Sequence, residues 1–185
     1  MNIDSAGDAA YSSARLSYYS MFDLEPRFDL SMEQLDLAYR TLAIQVHPDR
    51  YANATVAEQR RALELATRAN EAYRALKTPL LRARHLLSLR GVEIAEAGAA
   101  ISPAFLDAQI EWREALADAC TARDEAALRA LGASVRAHAD AGCARLAAQL
   151  DGACDDAAAA QGVLQLMFLD KLLADVDDAR DRLEA

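Results

Sequence analysis

His47 and Asp49 are the side chains whose types and spacing most invite chemistry in this sequence, and Pro48 lies between them. An imidazole and a carboxylate two residues apart could serve as an acid–base pair or, together with His138, as ligands of a metal ion. No further His, Asp or Glu falls at a spacing that would complete either kind of site. We therefore favour a role for these residues in contacting a partner over an enzymatic one, and we predict neither a metal site nor a cofactor.

Pro48 decides where the preceding helix ends. Its ring fixes its own φ and disfavours α-helical geometry at the residue before it, so a helix that reaches Val46 should stop there. The polar residues that follow, including Asn53, are typical of a loop. The sequence therefore predicts that His47 and Asp49 lie in a stiffened and exposed loop.

Apolar residues at helical spacing flank this loop on both sides. Before the loop they are Leu35, Ala38, Tyr39, Leu42, Ala43 and Val46, and after it they are Ala62, Leu65, Ala66, Ala69, Ala72, Tyr73 and Leu76. Ser31 with Gln34, and Thr55 with Glu58, have the spacing of capping boxes at two helix starts. The pattern predicts two antiparallel helices with the His-Pro-Asp loop at one end of the hairpin.

The residues AYRTLAIQVHPDR, placed between two such helices, resemble the J-domain of co-chaperones that act on DnaK-type chaperones. The resemblance implies a chaperone-binding surface formed by His47, Pro48 and Asp49, with Arg40 and Arg50 beside them. J-domains commonly carry several Lys or Arg residues on the outer side of the first hairpin helix, whereas this helix has only Arg40. We therefore expect a weaker electrostatic contact. The residues predicted on that outer side are Asp36, Leu37, Arg40, Thr41, Ile44 and Gln45, whose two aliphatic side chains fit either a contact or ordinary surface exposure.

Composition and charge indicate a globular all-α protein. Hydrophobic residues make up 53% of the 185 residues but aromatic residues only 6%, because alanine, a strong helix former, carries much of the count. A net charge of −9 argues against binding to nucleic acid or to an anionic membrane. The sequence has neither an apolar run of about 20 residues nor a signal-peptide pattern, so we expect a cytoplasmic protein. The three cysteines, Cys120, Cys143 and Cys154, show no metal-binding or disulfide spacing and are expected to be buried free thiols.

Helix start and stop signals divide the chain into three stretches. Residues 1–15 have little periodicity and are predicted to be a mobile tail. Residues 16–90 hold the helical hairpin, preceded by a short extra helix over the apolar cluster of Tyr18, Tyr19, Met21, Phe22 and Leu24. They also hold a linking helix that Thr78 and Pro79 open and Gly91 closes. Residues 91–185 are predicted to form a three-helix bundle. His85, on the linking helix, is expected to be a packed structural residue.

The first helix of that bundle, which Ser102 and Pro103 should start, has two different sides at 100° per residue. The side predicted to face the core holds Phe105, Ala108, Trp112, Ala115, Leu116 and Ala119. The opposite side holds Leu106, Asp107, Ile110, Glu111, Glu114 and Asp118. On periodicity alone this second set is either a docking strip or a solvated acidic face that carries two aliphatic residues.

Three segments, PLLRARHLLSLRG, FLDAQIEWREAL and FLDKL, resemble the HscB family of iron–sulfur co-chaperones. That resemblance implies that the chain stimulates the ATPase of a dedicated DnaK-type chaperone, HscA, and delivers to it the scaffold protein IscU. It places scaffold contacts at Leu106, Asp107, Ile110, Glu111, Glu114 and Asp118, and the helical wheel adds Phe168 as an exposed aromatic anchor. Family members commonly have methionine at the position of Asp107. The alternative is a general J-domain co-chaperone with a different client.

Overall fold

A computed structural model describes residues 17–94 and 101–184, so the predicted tail at residues 1–15 lies outside the described residues. The described residues form six α-helices and no strand, which confirms the all-α class. The helices are α1 Met32–Gln45, α2 Val56–Lys77, α3 Pro79–Leu89, α4 Pro103–Ala122, α5 Glu125–Ala147 and α6 Asp156–Glu184. Two short 3-10 turns, Ser20–Phe22 and Pro48–Tyr51, and a π-helical segment, Ala148–Ala153, complete the described part.

The chain divides into two compact units, Met1–Leu89 and Arg90–Ala185. The first unit contains α1, α2 and α3, and the second contains α4, α5 and α6. That the stretches 16–90 and 91–185 act as separate functional domains stays a prediction.

Side-chain caps start the two hairpin helices where the sequence predicts. Ser31 Oγ accepts a hydrogen bond from the Gln34 backbone N–H at 3.3 Å. Thr55 and Glu58 form a complete capping box, in which each side chain bonds the other residue's backbone N–H. The Thr55 side chain and backbone bonds hold the pKa of the Glu58 carboxyl below its ordinary value. Both starts are therefore fixed by local chemistry.

Two tyrosines join α1 to α2. The Tyr39 and Tyr73 rings stack with centroids 4.1 Å apart. The Tyr39 hydroxyl donates to Asn70 Oδ1 at 2.7 Å, and the Tyr73 hydroxyl donates to Asp36 Oδ1 at 2.8 Å. Asp36 therefore turns toward α2, which makes its predicted place on the outer side of α1 wrong.

The core of the first unit includes the segment before α1. Tyr19 is fully buried and its hydroxyl donates to the Arg27 carbonyl at 2.9 Å, while Phe22 and Phe28 are also buried. His85 on α3 accepts a hydrogen bond from the Tyr18 backbone N–H, which agrees with its expected structural role.

Arg82 is buried in this core, and nothing in our sequence analysis indicated that it would be. Its Nη1 donates to the Leu76 carbonyl at 3.1 Å, and its guanidinium lies 5.0 Å from the centre of the Phe28 ring. These two contacts offset part of the cost of burying the charge.

On α2, Leu65 is 40% exposed, so its predicted place in the core stripe is wrong.

The second unit is built on the antiparallel pair α5 and α6, against which α4 packs. A Cβ atom added at Gly142 would lie 3.0 Å from Leu166 Cδ2, so glycine permits the close approach of the two helices there. Arg90, the first residue of this unit, donates to Asp156 Oδ1 at 2.6 Å and to the Leu150 carbonyl at 2.9 Å.

Helix α6 is long and apolar enough, by length and composition, to cross a membrane. The core helix of a globular protein passes the same test, and α6 contributes eight buried residues to the packing of this unit. Cys120 and Cys154 are exposed and Cys143 is only partly buried, so the predicted burial of the cysteines is wrong. Each of the two exposed thiols lies near a helix end, where periodicity says little about burial.

Tyr19→Phe should lower the free energy of unfolding by about 1 kcal/mol, because the Arg27 carbonyl loses its hydrogen-bond donor. Tyr18→Phe is the matched control, since it keeps the ring and the backbone N–H that contact His85, and it should cost less than about 0.5 kcal/mol. Urea denaturation of both variants measures the difference. Equal losses would show that the Tyr19 hydroxyl contributes nothing specific.

Candidate protein-binding surfaces

The loop between α1 and α2 has the geometry that Pro48 was expected to impose. Helix α1 ends at Gln45, and Val46 caps it with its backbone N–H on the Leu42 carbonyl. His47 is extended, with φ −60° and ψ 130°, and Pro48 is the first residue of the following 3-10 turn. The tip that carries His47 and Asp49 therefore begins immediately after a buried residue, Val46.

His47 and Asp49 interact through the backbone more than through their charges. The Asp49 backbone N–H donates to His47 Nδ1 at 3.3 Å, and the same Nδ1 lies 3.5 Å from Asp49 Oδ2. One nitrogen cannot both accept from the N–H and donate to the carboxylate. We assign the hydrogen bond from the backbone, because its distance is shorter and it caps the turn, so the ring proton is on Nε2. The Asp49 carboxylate, 88% exposed, then points to solvent and can meet a partner.

Hydrogen bonds from Gln59, near the start of α2, and from Tyr51 stabilise the loop. Gln59 Nε2 donates to the carbonyls of Tyr51 and Ala52 at 3.1 and 3.2 Å. The Tyr51 hydroxyl donates to the Gln45 carbonyl at 3.3 Å. These bonds connect the residues that follow Asp49 in the loop to both α1 and α2. They therefore limit the positions that the Asp49 backbone can adopt.

A shallow depression adjoins the tip and is lined by Ala43, Ile44, His47 and Arg50. Ile44 is 64% exposed there, and Arg40 is exposed one helical turn earlier on α1. The structure thus brings Ile44, His47 and Arg50 together, and we define these residues with Arg40, Pro48 and Asp49 as the tip surface. Leu37, 68% exposed, continues this apolar side of α1.

The metal hypothesis linked His47 with His138, which lies on α5 in the other unit. The His138 ring meets the Trp112 ring edge to face, with centroids 4.9 Å apart, and its Nδ1 lies 2.9 Å from the Ser134 carbonyl oxygen. His138 is therefore part of the packing between α4 and α5. Across residues 17–94 and 101–184, no group of three or more His, Cys, Asp or Glu is placed to hold a metal ion.

Helix α4 has the two different sides that the wheel predicted. Ser102 Oγ accepts from the Phe105 backbone N–H at 3.3 Å, and Pro103 is the first helical residue. Trp112 and Ala119 are buried, and Phe105, Ala108 and Leu116 are partly buried, but Ala115 is exposed, which its predicted core position did not anticipate.

The outward side of α4 is exposed along its length. Leu106 and Ile110 are 45% and 57% exposed, and the four acidic side chains beside them, Asp107, Glu111, Glu114 and Asp118, are all exposed. We define these six residues as the α4 strip. Two aliphatic side chains four residues apart lie on one side of a helix, so they present a continuous apolar contact next to four carboxylates.

Phe168 is not the exposed anchor that the wheel predicted, because its side chain is partly buried against α4. Its ring meets Phe105 edge to face at 5.9 Å and stacks on Trp112 at 6.4 Å. The wheel of α6 alone placed Phe168 off that helix's own core side but could not show that α4 covers that side. A contact of Phe168 with the scaffold stays a prediction.

Arg113 is a residue that our sequence analysis missed. Its guanidinium lies 5.2 Å from the centre of the Phe168 ring, in cation–π geometry. At 100° per residue, Arg113 is about 20° around the α4 axis from Leu106. The seven-residue spacing from Leu106 is the signal that could have placed it beside the α4 strip.

An all-α chain that exposes His47 and Asp49 at the tip of a helical hairpin, followed by a three-helix unit, has the architecture of a J-domain co-chaperone. Residues 101–177 match a family described as the HSCB C-terminal oligomerisation domain. The HscB homologue of Ralstonia nicotianae is 48% identical over 174 residues, which cover 94% of this chain and 99% of that protein. The homologue of Burkholderia multivorans is 49% identical over 173 residues, covering 93% and 98% respectively.

Solved structures agree with these relatives. The chaperone HscB from Vibrio cholerae superposes with a TM-score of 0.79 and 36% identity, over 91% of this chain and 99% of that one. The human co-chaperone HscB gives the same TM-score with 26% identity, over 89% and 82%. The chain belongs to the HscB family of co-chaperones.

Phe168→Ala should lower the free energy of unfolding of the second unit by about 1–3 kcal/mol, because it removes a partly buried ring from the contact with Phe105 and Trp112. Leu106→Ala, at an exposed position on α4, is the control and should cost less than about 0.5 kcal/mol. Trp112, the single tryptophan, reports both transitions by fluorescence. If Phe168→Ala lowers the free energy of unfolding no more than Leu106→Ala does, the Phe168 ring contributes little to packing and could contact a partner instead.

Proposed function

We propose that this protein stimulates the ATPase of a dedicated DnaK-type chaperone, HscA, and delivers to it the iron–sulfur scaffold protein IscU, in the cytoplasm. Membership of the HscB family supports the general role of co-chaperone. The observation that carries the specific proposal is the pairing, in one chain, of the stiffened tip surface with the exposed α4 strip. One surface binds the chaperone and the other binds the client, and this chain catalyses no reaction itself.

The tip surface acts by offering an exposed carboxylate on a fixed backbone. Because His47 accepts the Asp49 backbone N–H, the backbone at Asp49 is held in place, and its side chain, 88% exposed, presents the carboxylate to a partner. A chaperone arginine that approaches it gains a charge-assisted contact with little conformational entropy lost by the loop. Binding that favours the hydrolysing state of the chaperone shifts the chaperone's equilibrium toward that state.

Arg40 and Arg50 supply the positive charge on this surface, and Ile44 supplies an apolar centre. With only Arg40 as a cation within α1, the long-range attraction to an acidic partner is modest and is screened beyond about 10 Å at ordinary ionic strength. We infer that the affinity depends more on Ile44 and Asp49 at short range than on electrostatic steering.

The α4 strip fits a client with an apolar patch bordered by basic residues. Its carboxylates follow one another at three- and four-residue spacing, so they repel each other by a few tenths of a kcal/mol per pair in the free helix. A basic partner surface would relieve that repulsion. Leu106 and Ile110 supply the apolar contact, Asp107, Glu111, Glu114 and Asp118 border it, and Phe168 contributes from α6 through its contact with Arg113.

A general J-domain co-chaperone with a different client is the second candidate. Asp107 favours it, because a carboxylate is exposed where family members commonly place an apolar scaffold contact. The two candidates share the tip surface and differ only in what the α4 strip binds. A titration of the protein with IscU separates them.

Asp49→Asn should abolish stimulation of the HscA ATPase, because the charge offered to the chaperone is lost while the shape of the tip is kept. His47→Gln should do the same, because a longer and more flexible side chain replaces the imidazole that accepts from the Asp49 backbone N–H, so the tip is held less firmly. Each change is on the surface and should alter stability by less than about 0.5 kcal/mol. Single-turnover ATPase measurements and circular dichroism test both variants, with Asn53→Ala as a control at an exposed loop position. Full stimulation by Asp49→Asn would reject the proposed mode of chaperone binding.

Leu106→Ala combined with Ile110→Ala should weaken IscU binding by about 2–4 kcal/mol, since each buried apolar anchor typically contributes about 1–2 kcal/mol. Unfolding should change little, because both side chains are exposed. Asp107→Met should instead tighten binding, since it restores an apolar contact. Calorimetric titration with IscU measures both changes in affinity, and thermal unfolding measures the change in stability. Leu63→Ala, at an exposed aliphatic position on α2, is the matched control. Binding that the double variant leaves intact would favour the different-client alternative.

A further inference from the structure

One imidazole holds the amino-terminal segment to α3. The Tyr18 backbone N–H donates to His85 Nε2 at 3.0 Å. The Tyr18 ring stacks on the imidazole with centroids 4.3 Å apart, and the Tyr19 ring lies at 5.8 Å. Two consecutive residues before α1 therefore contact the same side chain.

This hydrogen bond requires a neutral imidazole. Nε2 accepts from Tyr18, so it carries no proton, and the ring proton is on Nδ1. Protonation would place an N–H on Nε2 directly opposite the Tyr18 N–H, which replaces an attraction by a repulsion. The faces of the tyrosine rings attract a cation, but this attraction is opposed by the burial of the imidazole.

Burial lowers the pKa of His85 below its ordinary value of about 6.5. Charged groups on α2 border the same shallow depression as Tyr18, and others lie on α3 itself. They are Glu64, Arg68 and Glu71 on α2, and Arg82 and Arg84 on α3. The Arg82 guanidinium bonds the Leu76 carbonyl and lies against the Phe28 ring. The three charged side chains on α2 have a net charge of −1. Desolvation sets the direction of the shift.

We propose that His85 is an acid-sensitive latch, whose neutral imidazole holds Tyr18 against α3 and whose protonated imidazole releases it. The release is local, because Tyr19 is fully buried and keeps its own hydrogen bond to the Arg27 carbonyl. Tyr18 borders the depression formed with Leu63 and Thr67 on α2, so release changes that surface.

The sign of the pH effect follows from linkage. Between the ordinary pKa and the lowered one, the unfolded chain binds more protons at this residue than the folded chain does, so stability falls as pH drops through that window. Above the window the latch is closed and His85 makes no pH-dependent contribution.

Amide hydrogen exchange on the full chain tests the latch. With exchange corrected for its intrinsic pH dependence, protection of the Tyr18 amide should fall severalfold between pH 7.5 and pH 5, because the open state binds a proton at His85 that the closed state excludes. NMR titration of the His85 ring in the same samples should follow the same midpoint, below the ordinary histidine value. A Tyr18 amide that keeps its protection while His85 titrates would overturn the proposal, and this comparison needs no variant.

His85→Gln supplies the matched variant, because a glutamine oxygen can accept from the Tyr18 N–H but does not titrate. In it, protection of Tyr18 should change by less than about twofold over the same pH range. His138→Gln, which removes a histidine from the second unit, should behave as the parent chain does. The same acid loss of protection in His85→Gln as in the parent chain would show that another group is responsible.

Discussion

The extended conformation of His47 is the constraint on which the proposed chaperone contact depends. Pro48 disfavours helical geometry at His47, so α1 must end where Val46 is still buried in the core and the next residue is already exposed. The tip is therefore short, and its first exposed side chain follows directly on an anchored one. Gln59 holds the other end of the loop through two carbonyls. A loop fixed at both ends loses little entropy on binding, which is the physical advantage of this arrangement over a longer and freer connection.

Helix α4 packs into the core on one side and offers its other side to the partner that we propose. Trp112 packs inward among the rings of Phe105, Phe168 and His138, while Leu106 and Ile110 face outward. Stability depends on one side of the helix and the proposed binding on the other, so substitutions at those positions should change the two separately. Phe168 is the exception, because it belongs to the packing of α6 on α4 and also lies next to Arg113 at the edge of the outward side.

Features encoded by short-range rules were predictable from the sequence, and features that depend on a neighbouring helix were not. The caps at Ser31, Thr55 and Ser102 and the helix end before Pro48 lie where local chemistry places them. Periodicity also separated the two sides of α4. It misplaced Asp36, Leu65 and Phe168, because the wheel of one helix does not show where the next helix crosses it. The burial of Arg82 gave no signal, since it depends on the Phe28 ring, which is distant in the sequence, coming to lie against the guanidinium that also bonds the nearby Leu76 carbonyl. The partners of the tip surface and of the α4 strip stay predictions.

The distribution of charge argues for two different kinds of partner. The chain as a whole carries −9, so at long range it repels acidic proteins. Arg40 and Arg50 can oppose that repulsion only within about a Debye length of the tip, which restricts a favourable encounter to partners that reach the tip surface itself. The carboxylates of the α4 strip act in the same direction as the net charge, so a basic client is attracted from further away. Higher salt should therefore weaken the client contact more than the chaperone contact, because the long-range attraction that salt screens acts mainly on the client.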